Sequence, residues 1–217
     1  MNLIKKITSS IDSDVLPLSS IRSALENKTE NAIKGLLKRA CQKCELIRVR
    51  NGLYLVGEEA RRAPYHSFQI ANFIIEPSYV SLESALSFYG LIPEAVYTTT
   101  SVTPTKNLEQ ETPVGHFSFS YLKSKYFRFG FYQFKDGPHQ YLIATPLKAL
   151  IDYTVQSKKK YKRLSEIEED LRLDIDEFFS YKKFVNKNKI DEMLQIYKSY
   201  RIQVILKDIR KRLWTKL

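Results

Sequence analysis

The chain has 217 residues and a net charge of +11 at pH 7, from 35 Lys and Arg against 24 Asp and Glu. A surplus of this size favours a polyanionic partner, and nucleic acid is the commonest one. With 43% hydrophobic residues the chain is too apolar for intrinsic disorder, yet it has no apolar run long enough to cross a bilayer and no secretory signal. We therefore expect a folded, cytoplasmic protein without a membrane partner, built as one large or two modest domains.

The basic surplus is confined to the two ends of the chain. The first 63 residues carry 12 basic and 7 acidic side chains, the next 94 carry 6 and 7, and the last 60 carry 17 and 10. Charge that served solubility alone would load all three segments alike. The polar run 57–64, which ends in a proline, is typical of a linker. It predicts a first domain at residues 1–60 and a second at 65–217.

Three helices are predicted in the first domain. A weak helix around residues 3–11 is followed by a short helix after Pro17. Thr29 can cap the third helix by accepting a backbone N–H, and this helix should run to about Cys41. Its inward stripe is predicted to contain Ala32, Ile33, Leu36, Leu37 and Ala40. Its outward face carries donors suited to phosphates and base edges, namely Asn31, Lys34, Lys38 and Gln42.

A β-hairpin follows the third helix. Residues 46–50 alternate as a strand, Asn51 and Gly52 supply the positive φ angles of a two-residue turn, and residues 53–56 return. Alternation predicts that Arg48 and Arg50 share one face of the first strand, near the turn.

Two helices across a tight turn, followed by an Arg-bearing hairpin in a basic segment, predict a winged helix-turn-helix that binds double-stranded DNA. The alternative is a winged domain that contacts protein. The expected DNA-binding residues are Thr29, Asn31, Lys34, Lys38, Arg39, Gln42, Lys43, Arg48, Arg50 and Asn51.

The second domain is predicted to be α+β. A helix over residues 65–75 precedes a strand at 79–81, and Ser81 is expected to cap the next helix, which Gly90 ends. Further strands are expected at residues 96–103, 114–122, 127–134 and 141–144. Thr145 then caps a helix, and later helices are predicted at about 175–185, 190–200 and 202–214. The fold class is therefore α/β (α+β), a winged helix-turn-helix followed by an α+β domain with a mainly antiparallel sheet and a helical C-terminal end.

Three stretches of the chain are similar to one known family. They are residues 50–56 (Arg-Asn-Gly-Leu-Tyr-Leu-Val), residues 79–93 from Tyr79-Val-Ser-Leu-Glu-Ser-Ala-Leu to Pro93, and residues 143–152 (Ile-Ala-Thr-Pro-Leu-Lys-Ala-Leu-Ile-Asp). In their order and spacing they resemble the AbiEi-type antitoxins, transcriptional regulators of abortive-infection, type IV toxin–antitoxin systems. The resemblance implies a repressor that binds its own promoter through the winged domain. It also implies a C-terminal domain that counteracts a nucleotidyltransferase-like toxin without forming a stable complex with it.

The sequence predicts no catalytic residue, no cofactor and no metal. Cys41 and Cys44 form a lone C-x-x-C without further ligands, which favours two reduced structural thiols. One alternative is a metal-dependent nuclease that uses Asp152 and the acidic group Glu166, Glu168, Glu169 and Asp170. Another is a regulator or interaction module unrelated to a toxin. The alternating aromatic residues 117–131 are expected to face a core rather than to stack on bases.

A basic run begins the C-terminal segment and is a candidate for an additional basic surface. It consists of Lys158, Lys159, Lys160, Lys162 and Arg163. Such a surface either extends a DNA footprint, contacts a structured RNA or is simply solvated, and the sequence leaves these readings open.

Overall fold

A computed structural model describes residues 3–215 of the chain. Up to residue 56 it has three helices and a three-stranded antiparallel sheet. In chain order these elements are α1 (Leu3–Ser10), β1 (Val15–Pro17), α2 (Leu18–Ala24), α3 (Glu30–Gln42), β2 (Leu46–Arg50) and β3 (Leu53–Val56). The three helices and the hairpin match the prediction. Strand β1, which pairs with β3, is additional, because three residues are too few to show an alternating pattern.

Helix α3 is fixed by a cap at its start and by an apolar stripe along one side. Thr29 Oγ1 accepts a hydrogen bond from the Ala32 N–H at 3.3 Å, which confirms the predicted cap. The buried stripe consists of Ile33, Leu37 and Ala40. It is narrower than predicted, since Ala32 is exposed and Leu36 only half-buried. The opposite face of α3 is therefore free to present its polar side chains.

The β2–β3 hairpin turns at Asn51 and Gly52, where Gly52 has the positive φ of +80° that such a turn requires. Strand β2 is irregular between Arg48 and Arg50, which pair with Tyr54 and Leu53. A bulge of this kind places one extra residue in a strand and changes the direction of the side chains that follow it.

The second part of the chain is built on a six-stranded sheet. Its strands are β4 (Tyr79–Val80), β5 (Thr98–Thr103), β6 (Leu108–Thr112), β7 (Gly115–Tyr121), β8 (Phe131–Asp136) and β9 (His139–Ala144). They lie in the order β6-β7-β5-β4-β9-β8. The β5–β7 and β4–β9 pairs are parallel and the other three pairs are antiparallel, so the sheet is mixed, with antiparallel pairs in the majority as predicted. Strand β6 was not predicted, because Leu108 is its only apolar residue and the strand therefore shows no alternating pattern.

Helices cover this sheet and form the C-terminal end. They are α4 (Ser67–Ile74), α5 (Leu82–Phe88), α6 (Ser124–Phe127), α7 (Pro146–Gln156), α8 (Leu164–Leu171), α9 (Ile175–Ser180), α10 (Lys187–Ile196) and α11 (Tyr200–Thr215). The predicted start of α7 is confirmed, since Thr145 Oγ1 accepts from the Lys148 N–H at 3.4 Å. Phe117, Phe119 and Phe127 are buried in the core, as expected, whereas Phe129 and Phe131 are half-buried and Tyr121 is exposed. Within the described residues, no helix has the length and apolar character of a membrane span.

The two parts share a hydrophobic core, and the segment between them is anchored. Leu53 and Leu55 of β3 pack in the same cluster as the buried face of α4. The backbone N–H of Arg62 donates to Asp14 Oδ2 at 2.7 Å, and the hydroxyl of Tyr65 donates to the carbonyl of Val56 at 2.5 Å. The predicted linker is therefore held against the first part of the chain. This attachment fixes the direction in which α3 and the hairpin face.

Two glycines offer a matched test of this packing. A Cβ at Gly57 would lie 2.1 Å from the carbonyl oxygen of Cys44, whereas a Cβ at Gly35 in α3 would meet only the end of the Arg39 side chain at 3.7 Å. We expect Gly57→Ala to lower the free energy of unfolding by about 1–3 kcal/mol because the backbones must separate. Gly35→Ala should raise it by about 0.8–1 kcal/mol through helix propensity. Urea denaturation of both variants measures the difference, and equal stabilities would contradict the close approach at Gly57.

Candidate functional site

A groove with a volume of about 620 Å³ runs between α3 and the β2–β3 hairpin. Its floor is largely apolar and is formed by Leu18, Ile33, Leu37, Cys41 and Tyr54. Its rim is polar and consists of Glu30, Lys34, Lys38, Gln42, Arg48 and Asn51. Lys34, Lys38 and Gln42 follow one another at four-residue spacing and therefore project from one face of the helix. The groove thus joins the outward face of α3 to the hairpin in one surface.

The rim of the groove carries an excess of positive charge. Arg48 Nη2 donates to Asn51 Oδ1 at 3.1 Å, which holds the guanidinium beside the hairpin turn. Glu30 is the acid of the rim, and its carboxylate is paired with Arg22 at 2.8 Å. Lys34, Lys38 and Arg48 therefore face a carboxylate that another cation already neutralises. An exposed surface of this kind attracts phosphate groups.

Arg50 does not belong to the groove. Its Nη1 donates to the carbonyl of Asn51 at 2.8 Å, and its Nη2 donates to the carbonyl of Phe73 in α4 at 3.4 Å. The prediction that Arg48 and Arg50 share one face is therefore wrong. The physical reason is the bulge between them, which breaks the two-residue alternation on which the prediction depended.

The other predicted residues lie around the groove without lining it. Asn31, Arg39 and Lys43 are exposed, and Arg39 and Lys43 lie one residue further around the helix than Lys38 and Gln42, on its other flank. The hydroxyl of Thr29 is used as the helix cap.

Sequence reasoning missed the apolar floor of the groove. The available signal was the four-residue spacing of Leu37 and Cys41 directly beside the lysine row. Both cysteines are free thiols in the structure. Burial raises the pKa of the Cys41 thiol, and the positive charge of Arg48 opposes this shift. The Cys41 thiol is therefore protonated at neutral pH and adds to the apolar lining.

The basic run that begins the C-terminal segment is only partly free. Lys159 forms an ion pair with Asp170, which raises the pKa of the lysine and lowers that of the carboxyl group. Tyr161, within the run, is buried. The remaining cations are exposed, and they are Lys158, Lys160, Lys162 and Arg163.

A second polar centre lies in the core of the sheet domain and was not predicted. Lys148 and Asp152, one turn apart on α7, form an ion pair with both side chains fully buried. Asp152 Oδ2 accepts from the hydroxyl of Tyr79 at 3.0 Å and from that of Ser81 at 2.9 Å. Lys148 Nζ also donates to the hydroxyl of Tyr197 at 3.1 Å. The centre therefore connects β4, α7 and the segment that follows α10.

Burial and ion pairing shift the pKa values of Lys148 and Asp152 in opposite directions. Burial raises the pKa of Asp152 and lowers the pKa of Lys148, while the opposite charge of the partner counteracts each shift. Such a pair is tolerated when hydrogen bonds satisfy the remaining lone pairs and protons, as the three hydroxyl groups do here.

The Ser81 hydroxyl donates to Asp152 instead of capping helix α5 as predicted. The hydroxyl makes no helix cap, and Thr100 Oγ1 accepts the N–H of Ser84 at 3.0 Å in its place. The predicted cap is therefore wrong. Leu82, at the start of α5, has a φ of +59°, which lies in the left-handed region that non-glycine residues rarely adopt. This turn of the backbone accompanies the orientation of Ser81 toward Asp152.

The acidic residues considered for a nuclease do not form a metal site. Both oxygens of Asp152 are engaged by protein donors in a buried position. Glu168 pairs with Arg212 at 2.6 Å, and Asp170 pairs with Lys159. Across residues 3–215, no group of three His, Cys, Asp or Glu side chains has an arrangement that could hold a metal ion.

Comparison with known proteins adds no assignment. No protein-family model matches the chain, and no curated protein is significantly similar to it.

The buried ion pair predicts a strongly coupled double-mutant cycle. Lys148→Met leaves a carboxylate buried without its cation, and Asp152→Asn leaves a buried ammonium group without its anion, so each should lower the free energy of unfolding by about 3–5 kcal/mol. In the double variant both charges are gone, and the Asn side chain can still accept from Tyr79 and Ser81. Its destabilisation, measured by urea denaturation, should be well below the sum of the two single effects. Additive effects would show that the two charges do not interact.

Proposed function

We propose that the protein is a DNA-binding transcriptional repressor and the antitoxin of a toxin–antitoxin, phage-defence operon. In this proposal residues 1–60 form a winged helix-turn-helix, with α3 as the recognition helix and the β2–β3 hairpin as the wing. The partner is double-stranded DNA of the protein's own promoter. The supporting observation is the groove in which Lys34, Lys38, Gln42, Arg48 and Asn51 come together on one surface.

In this proposal the two sides of the groove contact different parts of the DNA. Side chains at four-residue spacing on α3 are suited to the major groove, where Lys and Gln donate to base edges. Arg48 on the hairpin is suited to a backbone phosphate, because its guanidinium is exposed and stays charged. Arg50, which contacts α4, is left out of this interface.

The antitoxin half of the proposal rests on the resemblance to AbiEi-type antitoxins. The structure gives two of the three similar stretches a common physical role. Tyr79 and Ser81 belong to one stretch and Lys148 and Asp152 to another, and all four side chains meet in the buried polar centre. We infer that the second part of the chain counteracts a nucleotidyltransferase-like toxin without catalysis and without a stable complex.

The proposal predicts different roles for the two hairpin arginines. Replacing Arg48 by Ala should reduce the magnitude of the slope of log affinity against log salt by about 0.9, because one phosphate contact is lost. Arg50→Ala is the matched control and should leave the slope unchanged. Fluorescence anisotropy with labelled promoter DNA over a series of salt concentrations measures both. An unchanged slope in Arg48→Ala would remove the hairpin from the interface.

Repression and neutralisation should be separable in the full-length protein. The double variant Lys34→Ala/Lys38→Ala should bind its promoter at least about tenfold more weakly, since each lost contact is worth about 1–3 kcal/mol. It should therefore release a promoter reporter from repression. It should still protect cells that express the nucleotidyltransferase-like toxin encoded beside it.

The matched control for this experiment is Lys158→Ala/Lys160→Ala, which removes two lysines from the other basic surface and should keep repression intact. Loss of repression in the control alone would move the DNA interface to the C-terminal segment. If neither the wild type nor the variants protect against the neighbouring gene product, the antitoxin half fails and the DNA-binding half stands.

A further inference from the structure

A second cavity lies between the outer strand of the large sheet and helix α10. It has a volume of about 260 Å³. Its aromatic walls are Phe129, Phe131, Tyr132 and Phe184. The Phe184 ring stacks on that of Tyr132, with ring centroids 5.3 Å apart and an angle of 14° between the planes. Because these two rings already cover one another, a planar aromatic ligand would meet their edges or the outer side of the stacked pair, and edge-to-face and offset contacts are both favourable aromatic geometries.

Lysines are concentrated at one side of this cavity. Residues 181–190 contain four lysines and no acidic residue, and Lys183 and Lys189 line the cavity. Lys189 forms an ion pair with Glu192 at 2.9 Å. In the described part of the chain, no carboxylate lies within ion-pair distance of Lys182, Lys183 or Lys187. Like charges crowded together without counter-ions repel one another, and an anionic ligand would relieve that repulsion.

Lys182 and Lys183 lie in the loop before α10, Lys187 and Lys189 lie in the first turn of α10, and Asn186 ties the loop to the helix. The amide nitrogen of Asn186 donates to the carbonyls of Lys182 and Lys183 at 3.0 and 3.1 Å, and its amide oxygen accepts the N–H of Lys189 at 3.1 Å. Val185, in the same loop, is buried. The lysines are therefore presented on a preorganised support, which reduces the entropy lost when a ligand binds.

We propose that this cavity binds a free nucleotide. The base lies against Phe184 and Tyr132, and the phosphate lies at the mouth of the cavity, where it contacts Lys183 and its neighbouring lysines. Glu192, at the cavity wall, is placed to accept a hydrogen bond from an N–H group of the base. The site is separate from the α3 groove and does not depend on the DNA-binding proposal.

The dimensions favour one nucleotide over a strand. Small-molecule pockets span roughly 300–1,000 Å³, so this cavity takes a base and leaves the sugar and phosphate at its edge. Single-strand binding surfaces usually track about 4–16 nucleotides along a positively charged groove. Here the cations belong to one short segment, the loop before α10 and the first turn of that helix, beside a small cavity.

Calorimetric titration of the full-length protein tests the proposal with the four nucleoside monophosphates, adenosine and inorganic phosphate as probes. We expect at least one monophosphate to bind with a stoichiometry of one, more tightly than adenosine or phosphate. Lys183→Gln should weaken its binding about tenfold by removing a charge-assisted contact. Phe184→Leu should weaken binding of both nucleotide and nucleoside, and its thermal melt checks that the fold is retained.

Lys106→Gln is the matched control, because Lys106 is an exposed lysine just before β6, at the opposite edge of the sheet from β8. It should bind nucleotide like the wild type. The proposal is overturned if no monophosphate binds at millimolar concentration, if phosphate alone binds as tightly, or if Lys183→Gln behaves like Lys106→Gln. Binding of a single-stranded oligonucleotide without any mononucleotide binding overturns it as well. Promoter binding by Lys183→Gln should be unchanged, so failure here leaves the DNA-binding proposal intact.

Discussion

Lys148 and Asp152 place two opposite charges where water does not reach them, and removing each ion from water costs several kcal/mol. That cost is offset only when the hydroxyls of Tyr79, Ser81 and Tyr197 are all in position. Those groups come from strand β4, from the start of α5 and from the segment between α10 and α11. The register of the sheet and the docking of the C-terminal helices must therefore be right at the same time. A core of apolar residues alone would tolerate more alternatives.

The first part of the chain is packed against the sheet domain through strand β3. All four residues of β3 are buried, with Leu53 and Leu55 facing α4 and Tyr54 and Val56 facing α3. The small sheet thus lies between its own helices and the sheet domain. Because β3 contributes to both cores, α3 and the hairpin cannot turn independently of the rest of the protein. The orientation of the α3 groove is therefore fixed relative to the sheet domain.

Local signals in the sequence predicted what depends on local physics. The cap at Thr29, the turn at Gly52 and the start of α7 at Thr145 each follow from one residue acting on its immediate neighbours. The failures involve distant partners. Ser81 stands at a cap position but donates to Asp152, which is 71 residues away in sequence. Arg50 leaves its predicted face because of a one-residue bulge, which no periodic pattern of hydrophobicity reveals. A strand as polar as β6 is defined only by the neighbour with which it pairs.

The net positive charge of the chain indicates a binding surface only after the cations that have structural partners are excluded. Lys148 and Lys159 serve ion pairs, and the guanidinium of Arg201 donates to carbonyls at the end of α7, including that of Thr154 at 2.7 Å. These groups hold the fold together and are not free for a polyanion. Lys34 and Lys38 of α3 and Lys183 before α10 form no ion pair within residues 3–215, and each borders a concave surface. A basic group that forms no ion pair within its own chain and borders a cavity is a better indicator of an anionic ligand than the total charge, because such a group gains a counter-charge when the ligand binds.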